Sequence, residues 1–441
     1  MNLIRRPAGP LLILLVLALA GTGWSQEEKL RPGDRERAQA MLSDVAGYIR
    51  SNYYDPQFNG HDLQAAYNDT KARIDKATSF NQMLGLIGWF VSSLDDSHTY
   101  FIPPPRAYNI EYGWRIQMIG DQCYVTRVKP GSDAEKQGLK PGDRVDAILG
   151  VQPTRQSLHK IMLLLNALRP QPVIRLAVVS AQGGQRTLDL QAEIKPTRHE
   201  ITNYSEWMDE VRKSQRLSDL NERKSAELDG NIIVWRLYHF VMNEKGADAM
   251  IGKARDSKAL ILDLRGNPGG FVDTVDRMIG NFFDHEVKVA EPRGRKKFTA
   301  KSVAKGRGDK TYTGKLFVLV DSRSASASEI LARVVQLEGR GTVIGDRTAG
   351  AVMMSEGSAG WHGIDDKVFY GASVTVADLT MKDGKSLENV GVTPDVLVLP
   401  TAEDLASGRD PALAKAVELA GGKITPEEAG KLFPFHWPPQ Q

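Results

Sequence analysis

Cysteine is nearly absent: Cys123 is the only one in 441 residues, so no intramolecular disulfide can form and no thiolate-rich metal centre can assemble. Histidine is sparse too, with eight residues, and no Cys/His cluster shows metal-ligand spacing. Neither a metal nor an organic cofactor is expected. A dominant charge sign is also missing, because 57 Lys+Arg against 54 Asp+Glu leave a formal net charge of +3. That gives no field to draw a polyanion, and no nucleic-acid partner is implied. No run of about 20 apolar residues occurs either, so nothing reads as a full membrane span. Cys123, in the run Cys123-Tyr124-Val125, reads as a buried small hydrophobe rather than a reactive thiol.

What is present begins with Arg5 and Arg6, an apolar run over residues 11–20, and small residues up to Gly23-Trp24-Ser25. This is the layout of a secretory signal peptide over residues 1–25, with Ala18-Leu19-Ala20 as a second possible cleavage site. Export to a periplasmic or secreted location is expected, without stable membrane insertion after cleavage; a retained N-terminal anchor is the alternative. Removing the two arginines lowers the net charge to 3 − 2 = +1. The length allows two or three domains.

Residues 26–110 read as a helical cap, because Ala40, Val45, Ile49 and later Leu84, Ile87 and Val91 recur near helical spacing. Tyr53-Tyr54-Asp55-Pro56 breaks that pattern. After Pro103-Pro104-Pro105 the texture turns to short strands, such as residues 123–128 ended by Pro130-Gly131. A short helix and the turn Gly138-Leu139-Lys140-Pro141-Gly142-Asp143 follow, then an apolar strand and Gly150. This segment resembles a PDZ domain, assigned to residues 111–195. The resemblance implies peptide binding by strand addition, with Tyr112, Gly113, Trp114 and Arg115 at the carboxylate-binding loop, although that loop lacks the usual Gly-hydrophobic-Gly form. A structural or gating module is the alternative.

Residues 196–230 read as a charged linker, helical in part. From Ile232 onward, strand-like and helical runs alternate: residues 232–237, a helix near 247–255, Ala259-Leu260-Ile261-Leu262, a helix after Gly270, and Leu316-Phe317-Val318-Leu319-Val320. This order predicts an α/β domain over residues 231–400 with its chemistry on loops at strand ends. Residues 401–441 carry no clear catalytic content and read as a tail that packs across a partner surface or frays.

Two turns in that domain invite chemistry. Asp263-Leu264-Arg265-Gly266-Asn267-Pro268-Gly269-Gly270 leaves an apolar strand and enters a helix, so its backbone N–H groups can face an anion. Ser324-Ala325-Ser326-Ala327-Ser328-Glu329 sits at another strand-to-helix transition, where a hydroxyl can project into a cleft. Helix capping by Ser324 or Ser328 is compatible with that.

The second turn is nearly identical to the SASASE signature of the S41 peptidases, the C-terminal-processing and tricorn-core type. The resemblance implies that Ser326 is the nucleophile, that Ala327 N–H and a glycine N–H from Gly269 or Gly270 form the oxyanion hole, and that polypeptide is the substrate. It also implies a ClpP/crotonase-like fold for the catalytic domain. The lysine of the C-terminal-processing members falls at Ala351, in Thr348-Ala349-Gly350-Ala351, so a Ser-Lys dyad there is excluded. In Leu94-Asp95-Asp96-Ser97-His98 the tricorn pattern offers another base, His98, and Glu388 before Val390-Gly391-Val392-Thr393-Pro394-Asp395 matches the acid acting through Ser97. Glu388 as an exposed turn residue remains an alternative, as does orientation of the ring by Asp95 or Asp96. Lys382 or Lys385 would be the bases to seek if His98 were not. The expectation is thus a multidomain α/β serine endopeptidase with a helical N-terminal cap, a PDZ-like β-rich domain and an α/β catalytic domain. The competing expectation is an inactive peptide-binding scaffold of the same fold.

Overall fold

The computed structural model describes residues 30–106, 108–196, 206, 224–296, 298, 302–363 and 367–437. The signal segment expected at residues 1–25 lies outside them. Three helices build the cap: α1 (Asp34–Asn52), α2 (Leu63–Lys76) and α3 (Phe80–Ser92). Asp62 caps α2 by accepting from Ala65 N, and Ser79 caps α3 by accepting from Gln82 N, which satisfies amides that the first helical turn leaves orphaned. Val45 and Ile49 of α1, Ile74 of α2 and Ile87 and Phe90 of α3 meet in one core. Helix α1 ends before the predicted break at Pro56. Leaving α3, the chain enters β1 (Tyr100–Ile102), which pairs antiparallel with the long strand Val368–Met381 of the C-terminal half. Cap and C-terminal half are therefore joined by a ladder.

Residues 108–196 form a β-module. Strands β2 (Tyr108–Glu111) and β8 (Glu193–Pro196) close it as a two-stranded ladder. Between them lie β3 (Trp114–Ile119), β4 (Gln122–Val128), β5 (Arg144–Ile148), β6 (Val173–Val179) and β7 (Gln185–Gln191), paired in that order into one antiparallel sheet. Helices α4 (Asp133–Lys136) and α5 (Leu158–Leu163) complete it. Alternation puts Ile174, Leu176 and Val178 of β6 into its core with Cys123 and Val125 of β4. Burial pushes the Cys123 thiol up to about 12, which fits an inert interior cysteine.

The C-terminal half carries β9 (Lys224–Leu228), β10 (Ile232–Arg236), α6 (Glu244–Ala254), β11 (Ala259–Asp263), α7 (Val272–Gly280), β12 (Val287–Arg293), β13 (Ser302–Ala304) and β14 (Lys315–Val320). Then follow α8 (Ala327–Leu337), β15 (Thr342–Gly345), β16 (Met353–His362), β17 (Val368–Met381) and β18 (Val396–Leu397). One sheet has the order β18-β15-β14-β11-β10-β9, with β9 antiparallel to β10 and the other pairs parallel. All of β11 and all of β14 after Lys315 are buried, as expected for parallel strands covered on both faces. A second sheet, β1-β17-β12-β13 with β16 on β17, links cap and C-terminal half.

Two stretches differ from the sequence reading. The linker read over 196–230 ends in β9, an edge strand of the six-stranded sheet; residues 197–205 and 207–223 lie outside the described ones. The segment read as a tail holds α9 (Ala402–Ser407), α10 (Pro411–Ala420) and α11 (Pro426–Lys431). Leu413, Ala416 and Val417 of α10 are buried against Val234, Ile261 and Leu319 of the sheet. This helix covers the face that the apolar strands leave open.

Candidate active site

Three turns leave the C-terminal ends of adjacent parallel strands, where clefts of such sheets form. Strand β11 runs into residues 264–270, β14 into 321–326 and β15 into 346–352. Ser326 stands at the corner between β14 and α8 with φ 54° and ψ −117°. For a residue with a Cβ this is strained, by on the order of 1–3 kcal/mol, and it persists only where neighbours impose it. Here the Ser326 N–H donates to Ala351 O at 2.9 Å and also reaches Glu329 Oε2 at 3.1 Å. Glu329 is buried and accepts as well from Thr348 Oγ1 at 2.5 Å and from the N–H groups of Gly350 and Ala351, both at 2.8 Å. Burial pushes its carboxyl up to about 7, and those hydrogen bonds oppose the rise.

The glycine-rich turn packs against that corner. A Cβ on Gly269 would stand 2.7 Å from Ser326 Cβ and 3.0 Å from Ala327 N, and one on Gly270 would stand 2.3 Å from Phe240 O. Neither position admits a side chain. The Gly269 N–H is taken by Asn267 Oδ1 at 2.8 Å. Among the described residues no acceptor meets the Gly270 N–H or the Ala327 N–H, which begins α8. Those two amides are left without a protein acceptor among the described residues.

The cap contributes Ser97 and His98. Asp96 holds their loop by accepting from His98 N at 2.9 Å, Thr99 N at 2.8 Å, Thr375 Oγ1 at 2.6 Å and Tyr53 OH at 2.9 Å. Asp96 thus fixes the backbone under the ring, while Asp95 pairs with Lys160. His98 Nδ1 lies 2.7 Å from Ser97 Oγ, which donates to Glu388 Oε2 at 2.8 Å; Glu388 Oε1 accepts from Ser97 N at 2.8 Å. Because Ser97 gives its proton to the carboxylate, its oxygen accepts from Nδ1–H, and His98 Nε2 keeps a lone pair. Burial lowers the His98 pKa below the ordinary imidazole value, partly offset by Asp96, and burial raises that of Glu388.

Ala351 and Val352 join the two halves. The Ala351 carbonyl accepts from Ser326 N–H, and the next N–H, that of Val352, donates to Glu388 Oε2 at 2.9 Å. A hydroxyl on a strained corner, an imidazole backed by a hydroxyl and a carboxylate, and an unpaired amide on the residue after the hydroxyl are parts that acyl transfer requires. The profile of peptidase family S41 matches residues 232–398, which include Ser326 and Glu388. The chain is 24% identical over 364 residues to the carboxy-terminal processing protease CtpA of Bacillus subtilis, spanning 80% of this chain and 72% of that one. It is 25% identical over 405 residues to the putative tricorn protease homolog 2 of Streptomyces coelicolor, spanning 86% of this chain and 32% of that protein.

The chain is an S41-like serine-type peptidase. Its fold is that of mature CPAF, whose crystal structure superposes with a TM-score of 0.61 at 14% identity, over 85% of this chain and 94% of that one. As a hydrolase of peptide bonds the peptidase acts on polypeptides. Among its described residues no three metal-ligating side chains converge, and no helix is long and apolar enough to cross a membrane.

The other expected residues have partners of their own within the chain. Tyr112 and Trp114 point into the core of the β-module, and the Tyr112 hydroxyl donates to Leu165 O at 3.0 Å. Gly113 O accepts from Lys129 N at 2.8 Å. Arg115 lies over Phe435 and Trp437 at 5.0 and 5.5 Å. These side chains are committed within the peptidase. Lys382, considered as a base, is exposed and paired with Glu338 Oε1 at 2.8 Å. Glu329 contributes without any chemical motif to mark it; its one sequence signal is its place three residues after Ser326, the spacing of a capping box.

Proposed function

We propose that the protein is an exported serine endopeptidase that cleaves polypeptides through an acyl-enzyme on Ser326. One observation carries the reading: Glu388, Ser97 and His98 form a hydrogen-bonded chain, and Ala351 and Val352 tie it to the Ser326 turn. His98 Nε2 takes the proton from Ser326 Oγ as that oxygen bonds to the scissile carbonyl carbon. The N–H of Ala327 and a glycine N–H, Gly270 being the one without an acceptor, hold the developing oxyanion. The C–N bond then breaks, the leaving amine takes the proton from His98, and water attacks the acyl-enzyme by the reverse path. Glu388, acting through Ser97, keeps the ring in the required tautomer and offsets the charge of the imidazolium.

Export rests on the layout of residues 1–25. Selection of substrates by their C-terminal end is proposed for the module at residues 111–195, by strand addition at a sheet edge; the name of the Bacillus relative supports it. Alanine at 351 favours a second reading, a scaffold that binds peptides without cleaving them. Hydrolysis of an unfolded polypeptide by the purified protein decides between them. The wild type is expected to cleave it, and Ser326→Ala to be folded and inactive. Full activity in Ser326→Ala contradicts the assignment, and an inert wild type supports the scaffold.

A further inference from the structure

The turn that carries Ser326 is braced from outside the catalytic half. Asp321, the first residue after β14, accepts from Gly266 N at 2.9 Å and Arg323 N at 2.9 Å through Oδ1. Its Oδ2 accepts from Gln117 Nε2 of β3 at 2.8 Å. One carboxylate therefore joins the glycine-rich turn, the serine turn and an edge strand of the β-module. A second bond runs alongside, from Ser322 Oγ to Met118 O at 2.5 Å. The seam continues at the turn after β15, where Asp346 Oδ2 accepts from Gly120 N at 2.9 Å and from Arg155 Nη2 at 2.6 Å.

Beyond Asp321, the two turns lock to each other. Ser324 Oγ donates to Leu264 O at 2.8 Å, Ala325 N to Asn267 O at 3.0 Å and Ser328 Oγ to Asn267 O at 3.0 Å. A shift of Asp321 therefore moves the Gly270 and Ala327 amides relative to Ser326. Those amides stabilise charge only where they meet the oxyanion at hydrogen-bond distance.

We propose that Asp321 is a positioning residue that makes the seating of β3 part of the active-site geometry, so that displacing the β-module disarms the oxyanion amides. The inference rests on the acyl-enzyme reading above. It also gives the Met118 carbonyl a fixed partner, so a peptide adding to β3 at that register must first displace Ser322.

The test uses the full chain, a reporter peptide of a few residues that is too short to span both units, and a fluorophosphonate. Asp321→Ala is expected to lower kcat and the labelling rate of Ser326 together, roughly ten- to a hundredfold, with KM within about twofold and the acid limb of the pH profile unmoved. Asp321→Asn keeps an oxygen for Gly266 and Arg323, and its NH2 can face a flipped Gln117, so it is expected to restore most of the rate. Gln117→Ala should lower kcat severalfold on its own and add little in the Asp321→Ala background. Should Asp321→Ala not fold, Gln117→Ala alone decides, because its single bond lies at the seam. Wild-type kcat in Gln117→Ala, or in a folded Asp321→Ala, overturns the inference, as does full additivity of the two. A wild type that fluorophosphonate does not label at Ser326 would instead remove the acyl-enzyme reading beneath it.

Discussion

Replacing Glu388 by glutamine changes one atom and tests the relay at its deepest point. The carboxylate accepts three hydrogen bonds, from Ser97 N, Ser97 Oγ and Val352 N. Glutamine has one oxygen for them. With that oxygen at the Oε2 position, the new NH2 confronts Ser97 N–H, and a buried donor left without an acceptor costs about 1–3 kcal/mol. With the amide reversed, the NH2 donates to Ser97 Oγ and confronts Val352 N–H. Ser97 then turns its proton to His98 Nδ1, and the imidazole proton moves to Nε2, where it blocks proton transfer from Ser326. Either arrangement also removes the negative charge that offsets the imidazolium. The expected loss in kcat is roughly 10²- to 10⁴-fold, or about 2.7–5.5 kcal/mol of barrier, with little change in KM. Steady-state hydrolysis of a reporter peptide, with a thermal melt to confirm folding, reads this directly. A folded Glu388→Gln with kcat within threefold of wild type would refute the relay.

Because burial lowers the His98 pKa, the rising limb of the pH–kcat/KM profile should lie on the acid side of the ordinary imidazole range; a limb on the alkaline side contradicts His98 as the base. The same shift means that this residue's contribution to folding is present above the ordinary imidazole value and is lost as pH falls below it, since the unfolded chain takes the proton more readily. Gly269→Ala drives a methyl to 2.7 Å from Ser326 Cβ and should abolish reporter hydrolysis; wild-type turnover would show that the two turns are not packed as described. Glu329→Gln replaces one of two oxygens that together accept four hydrogen bonds and should cost about 2–4 kcal/mol of stability, read by denaturant unfolding. An unchanged midpoint would refute that role.

The site residues were legible where a local pattern carries chemistry. An apolar strand that leads through Ser324-Ala325-Ser326 into a helix marks a corner, and the alanine at 351 leaves Ser97-His98, far away in the chain, as the base that the motifs offer. Residues acting through tertiary contacts were not legible. Asp321 reads as an ordinary loop aspartate until folding brings Gln117 to it across 204 positions. The Gly269 amide looked as available as that of Gly270, and only the fold shows Asn267 occupying it. In the fold, the break before Pro56 and the buried strands β11 and β14 follow from local chemistry. Strand β9, Lys-Ser-Ala-Glu-Leu, passed for linker because an edge strand tolerates charge. Helices α10 and α11 read as tail because the sheet face they cover is supplied by strands far earlier in the chain, at Val234, Ile261 and Leu319.

The central claim is that Ser326 is a nucleophile activated by His98, and covalent trapping tests it most directly. The full chain, treated with a fluorophosphonate, digested and mapped by mass spectrometry, should carry one adduct on Ser326. The labelling rate should fall by about a thousandfold or more in His98→Gln and should not recover in His98→Gln/Ala351→Lys. An adduct on Ser324 or Ser328, or labelling of Ser326 at an undiminished rate without His98, would contradict the account.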